Sequence, residues 1–298
     1  MKSSPHVEVF HRGLTELGEG PLWHPQRETL WWVDITGCKL FEARLDGTPP
    51  RTLALNGLPS ALVPAADGGL IVPRCDGIYH VDAETGAARQ LACPREHDPM
   101  RTRFNDAKCD PTGRLVAGTV ALDARPQAAL LYRFETDGLS HVLRDQVSIS
   151  NGLAWSPDGG TLFYIDSPTK MVSAFRYEAE SGQLGPAQVA VDLRDRPGLP
   201  DGCCSDADGR LWIAHWGEGC VTCWDPLHGR LLATIHFPAS QITNCTFGGA
   251  RLDRLFVTSA TIGLTEEQRA AEPLAGSVFC VDLTTRGLPA ILCTLHRR

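Results

Sequence analysis

The chain has 298 residues, with 28 Lys and Arg against 35 Asp and Glu, a formal net charge of −7, and 43% hydrophobic residues. This is the balance of a globular protein, and it excludes nucleic acid, whose phosphates demand clustered Lys and Arg, and an anionic membrane surface. The opening MKSSPHVEVFHRG has no apolar core of the secretory-signal kind, and no apolar run approaches the ~18 residues of a membrane span.

Residues 6–11 (HVEVFH) read as a strand before the first full unit. Six units then follow, each with a turn-rich segment leading into a β run: TLWWVD after HPQRE, GLIVPR after AADG, RLVAGT after DPTG, TLFYID after SPDGG, RLWIAH after DADG and RLFVTS after GGARLD. Their anchor leucines are Leu30, Leu70, Leu115, Leu162, Leu211 and Leu255, at intervals of 40, 45, 47, 49 and 44 residues. A third alternating segment follows each run (KLFEARLDG, for example), then a fourth β-like piece: RTLAL, RQLAC, SHVLR, QVAVD, LLATIH and AILCTLH. The stretch SISNGLAWSPDGGTLFYID (148–166) displays the unit most clearly. Pro157 presets φ and Gly159 and Gly160 tolerate positive φ between two alternating runs.

Four strands per unit at a period of ~40–50 residues is the signature of a β-propeller. The expectation is all-β: a six-bladed β-propeller with four-stranded blades, residues 1–298 forming one domain, as a monomer or weak homo-oligomer. Either the 6–11 strand or AILCTLH can supply the outermost strand of the last blade. Residues 265–276 (TEEQRAAEPLAG) hold at most a short helical turn. The eleven Cys lack framework spacing, so free thiols and a cytoplasmic setting are expected, and Cys220-Val221-Thr222-Cys223 reads as strand because residues three apart face opposite ways. Trp23, Trp31, Trp32, Trp155 and Trp212 read as blade core.

Counting back ten or eleven residues from each anchor reaches the start of each unit's first strand, the one that lines the channel of a propeller. The residues there are Glu19, Ser60, Asn105, Asn151, Asp201 and Asn244, all polar. Any one alone reads as a cap bonding local backbone. Six in phase point to a shared polar site at a channel mouth, where two carboxylates repel unless one is protonated or a cation lies between them. An oxygen-only set of Glu19, Asn151 and Asp201 suits Ca²⁺, Mg²⁺ or Mn²⁺, and Zn²⁺ can replace a harder ion in such a cage.

Five motifs in order, LGEGPLWHPQRETLWWVDI, RTRFNDAKCDPTGRLVAGT, SISNGLAWSPDGGTLFYIDS, LPDGCCSDADGRLWIAHWGEG and LAGSVFCVDL, resemble the gluconolactonase, senescence marker protein (regucalcin) and luciferin-regenerating enzyme-like family across essentially the whole chain. The resemblance implies one divalent ion (Ca²⁺, Zn²⁺, Mn²⁺, Mg²⁺ or Fe²⁺) held by Glu19, Asn151 and Asp201. It implies substrate contacts from Arg103 and Asn105, with Asp106 behind them. The family also often supplies an acidic residue after the GT of the third blade, and Asp123 in GTVALDARP is the nearest candidate. His215-Trp216 departs from the commoner apolar-Trp pairing.

The implied activity is hydrolysis of a sugar lactone, such as a glucono-, xylono- or arabinonolactone, to the aldonic acid. Asp201 is the candidate general base, with an activated hydroxide that Asp201 merely orients as the competing assignment. Arg103 and Asn105 would fix the ring, Asn105 able both to donate and to accept. The alternatives are a non-catalytic Ca²⁺-binding regulatory propeller and a promiscuous esterase or phosphotriesterase. The loop CPREHDPMRTR (93–103) is a candidate specificity rim.

Overall fold

In the computed structural model, which describes residues 5–13 and 15–296, the chain forms six four-stranded antiparallel sheets arranged as a six-bladed β-propeller. The first four residues of the MKSSPHVEVFHRG segment lie outside the described residues. Five blades are built in chain order from the inner strand outwards, starting at Gly18–His24, Val63–Pro64, Thr102–Cys109, Ser150–Trp155 and Leu199–Ser205. The inner strand of the second blade is short because Pro59 and Pro64 each remove a backbone donor from the ladder.

The sixth blade is composite. Its inner strands, Ile242–Gly248, Arg254–Ser259 and Val278–Asp282, come from the C-terminal end, and its outer strand is Val7–His11, with Val7 opposite Val281. Of the two segments expected to compete for that edge, the N-terminal one takes it. AILCTLH forms no blade strand. It runs over the end of the channel remote from Glu19, tied by Cys293 N–H to Pro64 O (2.7 Å) and Thr294 N–H to Gly113 O (2.9 Å).

All six anchor leucines are completely buried. Each sits on a second strand, which is covered by its own sheet neighbours and by the adjacent blades, so it is apolar on both faces rather than alternating. The buried side chains fall into six clusters, one in each seam between neighbouring blades. The seam that closes the ring joins Trp23, Leu30 and Trp32 to Phe256, Val278 and Cys280. Trp31, Trp155 and Trp212 are buried in such seams as well. Each leucine so buried contributes about 2 kcal/mol of transfer free energy.

The 265–276 segment does hold a short helix, Glu266–Ala271. Its Thr265 cap and Gln268 form a reciprocal capping box. Cys220–Asp225 is a strand, with Cys220 opposite His215 and Cys223 opposite Trp212, and all eleven Cys are free thiols. No helix among the described residues is long and apolar enough to cross a membrane.

Candidate metal and substrate site at the channel mouth

Five of the six inner strands lose register with their neighbour at the point where the phase count put its polar residue: between Glu19 and Leu22, Phe104 and Ala107, Ser150 and Leu153, Pro200 and Cys203, and Ile242 and Asn244. A bulge breaks the strict in–out alternation, so neighbouring side chains such as Asn105 and Asp106 can both be spared from the seams. Asn105 lines a mouth cavity of about 340 Å³ with Glu19, Arg103, Asn151 and Asp201. Asp106, Lys108 and Asn244 reach instead into a second cavity, of about 410 Å³, which the tail residues Leu288–Ile291 help to line at the far end. That second cavity is the larger, but its walls are mainly apolar (Trp23, Leu62, Trp155, Phe247). The acids, amides and guanidinium converge at the mouth.

Of the six phase positions, four therefore meet at the mouth. Ser60 turns into its own blade, where its hydroxyl donates to Pro73 O at 3.2 Å. Asn244 lies a layer deeper, with Nδ2 donating to Glu19 Oε2 (3.0 Å) and Oδ1 accepting from Cys245 N–H (2.8 Å).

The mouth residues form one hydrogen-bond chain across three blades. Arg103 Nη1 donates to Asn105 Oδ1 (2.7 Å) and to Phe104 O (2.9 Å). Asn105 Nδ2 donates to Ser150 O (2.8 Å) and Asn151 Oδ1 (3.0 Å). Asn151 Nδ2 donates to Ser167 Oγ (2.9 Å), which donates to Pro200 O (2.6 Å), the residue before Asp201. The expected dual role of Asn105 is thus corrected: both of its N–H donors are spent inside the site, and only acceptor capacity on Oδ1 remains. Asp201 is buried, and its carboxylate accepts from no side chain among the described residues.

The electrostatics are those of crowded acids. Burial first, then Asp106, push the Glu19 carboxyl up to about 8. Burial, with Glu19 and Asp106 nearby, raises Asp201 well above the usual carboxylate range, and burial raises Asp106 too. Burial lowers the Arg103 pKa while Glu19 and Asp201 hold it up. Among the described residues, Arg103 acts on Glu19 and Asp201 and Lys108 acts on Asp106, two cations against three buried acids, so a further cation among them would relieve a charge imbalance. No three His, Cys, Asp or Glu side chains cluster closely enough to hold a metal among the described residues. A cation here would need Asn151 as its third donor. Two carboxylates and a carboxamide, without sulfur or imidazole, fit a hard divalent ion.

Each candidate ligand is followed by glycine, a feature the motifs carry and the phase count did not explain. A Cβ on Gly202 would lie 2.0 Å from Asn244 Cγ. Gly20 takes φ +52°, and its Cβ would lie 2.9 Å from Ala61 Cα. These glycines let inner strands approach where the ligands converge. Gly202→Ala is expected to push the Asn244 amide off Glu19 and lower cation affinity at least about tenfold, at a stability cost of about 1–3 kcal/mol; calorimetric titration and thermal melts measure both.

Asp123 does not line the mouth. It is exposed, accepts from Arg125 N–H (3.2 Å) and pairs with Arg125 Nε (2.7 Å). The 93–101 part of the candidate rim loop also contributes no lining residue; its His97 is buried, with Nε2 2.6 Å from Cys75 O. Trp216 does line the mouth, beside a fully buried His215 whose Nε2 lies 2.6 Å from Thr222 Oγ1. Burial and then Arg196 push that imidazole down to about 4, which keeps it neutral.

The model of the SMP-30/Gluconolactonase/LRE-like region matches residues 17–261. YvrE of Bacillus subtilis strain 168, a protein provisionally named a sugar lactone lactonase, is 36% identical over 272 residues, covering 91% of this chain and 92% of its own. The crystal structure of a calcium-binding protein, regucalcin, from Agrobacterium tumefaciens superposes with a TM-score of 0.92 at 31% identity, covering 97% of each chain. XC5397 of Xanthomonas campestris, described as a gluconolactonase, gives a TM-score of 0.75 at 26% identity over 94% of this chain and 90% of its own. With its five motifs, its six-bladed ring and the matched region spanning most of its length, the chain belongs to the SMP-30/gluconolactonase/LRE family.

Proposed function

We propose that this chain hydrolyses the ring ester of a sugar-type lactone to the open hydroxy acid, with one divalent cation held by Glu19, Asn151 and Asp201. The observation that carries the reading is the pair of buried carboxylates, Glu19 and Asp201, at one channel mouth with Asn151 and Arg103 beside them. When bound, the cation supplies Lewis-acid polarisation of the lactone carbonyl.

The side chains do the rest. Asp201, whose oxygens no side chain engages among the described residues, takes a proton from the attacking water. The water oxygen bonds to the carbonyl carbon and the bond from that carbon to the ring oxygen breaks. Asp201 returns the proton to that oxygen as it becomes the hydroxyl of the product. Arg103, with Nη1 tied to Asn105 and Phe104, is held rigid and directs its remaining N–H groups to the substrate. The amide chain from Asn105 through Asn151 to Ser167 fixes the donor set in place. A lactone is an activated ester, so no Ser–His nucleophile is needed.

The test is acid release from glucono-, xylono-, arabinono- and galactonolactones with Ca²⁺, Mg²⁺, Mn²⁺, Zn²⁺ or Fe²⁺, with and without chelator. Release above the spontaneous rate that chelator abolishes is expected, and none with any ion would sink the proposal. A solved relative described as calcium-binding favours a second reading, in which the same oxygens hold Ca²⁺ without turnover. Tight Ca²⁺ binding with no acid release across the panel would select it.

A further inference from the structure

We propose that the far end of the channel, beneath the C-terminal strap, is a second small-molecule site, one that takes an apolar monocarboxylate. The inference is independent of the chemistry at the mouth.

The first observation is the chamber itself. It holds about 410 Å³, and Trp23, Leu62, Trp155 and Phe247 give it apolar walls from four different blades. That volume falls within the ordinary range of small-molecule sites. Water finds few partners on such walls, so an apolar body displaces it at little cost and gains burial.

The second observation is a lysine without a counter-ion. Lys108 lies on the inner strand Thr102–Cys109 and reaches into this chamber, where Nζ donates to Cys203 O at 2.9 Å. It makes no ion pair among the described residues. A lysine withdrawn from solvent is ordinarily paired. Two of the three N–H groups of its ammonium remain for the two oxygens of a carboxylate. The acids nearby do not take them. Asp106 Oδ1 accepts from Ala107 N–H (2.7 Å), and the exposed Asp158 at the rim accepts from the Ser156 hydroxyl (2.5 Å) and Gly160 N–H (3.0 Å). Asp106 does set a limit. With that acid in the same wall, a ligand carrying two negative charges is repelled, so a single carboxylate is what the chamber accepts.

The third observation is a way in. Leu288–Ile291 roof the chamber, and the strap is tied by Gly287 N–H to Leu252 O (2.8 Å) on one side and by Cys293 N–H to Pro64 O (2.7 Å) on the other. Between these ties, no N–H of residues 288–292 donates a hydrogen bond among the described residues. The strap can therefore lift without breaking a bond that its own backbone donates, whereas Trp155 and Phe247 sit on laddered strands.

The experiment titrates the full chain, treated with chelator so that no cation at the mouth competes for the probe, with sodium 3-phenylpropanoate. Calorimetry and tryptophan fluorescence follow binding, beside the neutral 3-phenylpropanamide and the dianion phenylsuccinate. Saturable binding of the monocarboxylate is expected, with the amide and the dianion each at least about tenfold weaker. Lys108→Met, and Thr246→Phe filling the chamber from the inner strand of the sixth blade, are each expected to weaken binding at least about tenfold. Arg103→Met, at the mouth, should change it less than about twofold. Trp155→Phe should diminish the fluorescence response, and Trp216→Phe should leave it. No saturable binding up to about 10 mM, equal affinity for the amide, or loss of binding in Arg103→Met rather than in Lys108→Met would each overturn the inference. If Lys108→Met does not fold, Thr246→Phe decides in its place, and an unchanged affinity there overturns the site.

Discussion

Asp201→Asn is expected to lower kcat by about 10³-fold while leaving KM within about threefold and the fold intact. The amide keeps the shape and size of the carboxylate, so the inner strand Leu199–Ser205 and its bulge have no reason to move. What goes is the capacity to take a proton. No other group at the mouth replaces it: Glu19 is tied to Gly20 N–H (2.8 Å) and to the Asn244 amide (3.0 Å), and Asn105, Asn151 and Arg103 are not bases. His215, the nearest imidazole in sequence, is fully buried against Thr222 and lines no part of the cavity. Single-turnover acid release, together with metal content measured on the same sample, separates loss of the base from loss of the ion. Full activity in the variant would remove the base role from Asp201 and leave it as a ligand.

The metal-free chain should lose stability as pH rises from about 5 to about 8, and a bound divalent ion should cancel the loss. Glu19 holds its proton in the folded state up to about 8 against an ordinary 4.5, and Asp201 is shifted in the same direction. A folded state that binds more protons than the unfolded one is favoured at low pH. The contribution is complete below the unfolded value and disappears as pH climbs through the folded one. For Glu19 alone the swing is at most about 4 kcal/mol, and coupling to its neighbours spreads it over the window. Cation binding needs the charged carboxylates, so affinity rises across the same interval by up to about tenfold per pH unit for each proton displaced. Melting curves of chelator-treated protein at pH 5, 6.5 and 8, with and without excess Ca²⁺, measure the first effect. Proton release during calorimetric titration measures the second. A melting temperature flat across that range in the metal-free protein would show that the acids are already neutralised by something within the chain.

The blades were legible because the anchor leucines must be buried in every unit, and their spacing survives variation in the turns. Ring closure was only half legible: Val7–His11 and AILCTLH are both short and apolar, and the difference lies in register with Val278–Asp282, which composition does not express. Glu19, Asn105, Asn151 and Asp201 could be selected by phase because strand starts recur at fixed height. Ser60 and Asn244 share that phase and point elsewhere: Asn244 sits at a bulge that turns it towards Glu19, whereas Ser60 precedes the two-residue strand Val63–Pro64 and bonds to Pro73 O. Asp123 failed for a different reason. Arg125, two residues on, offers it a local partner, and an exposed Asp–Arg pair forms without reference to the mouth. The exhausted donors of Asn105 were invisible for a third reason, because their partners lie 45 and 46 residues away.

The composite sixth blade sets a timetable for the site. Glu19 is engaged by Asn244, 225 residues later, and Val7 waits for Val281 before it has a sheet to join. A ribosome therefore releases Glu19 early and must make more than two hundred further residues before that carboxylate gains its amide partner. Until then the nascent protein has an open arc of blades with two unsealed flanks. The proposed cation site is therefore complete only after Asn244 has been made, and the closing seam of Trp32 against Val278 and Cys280 is among the last contacts the chain can form.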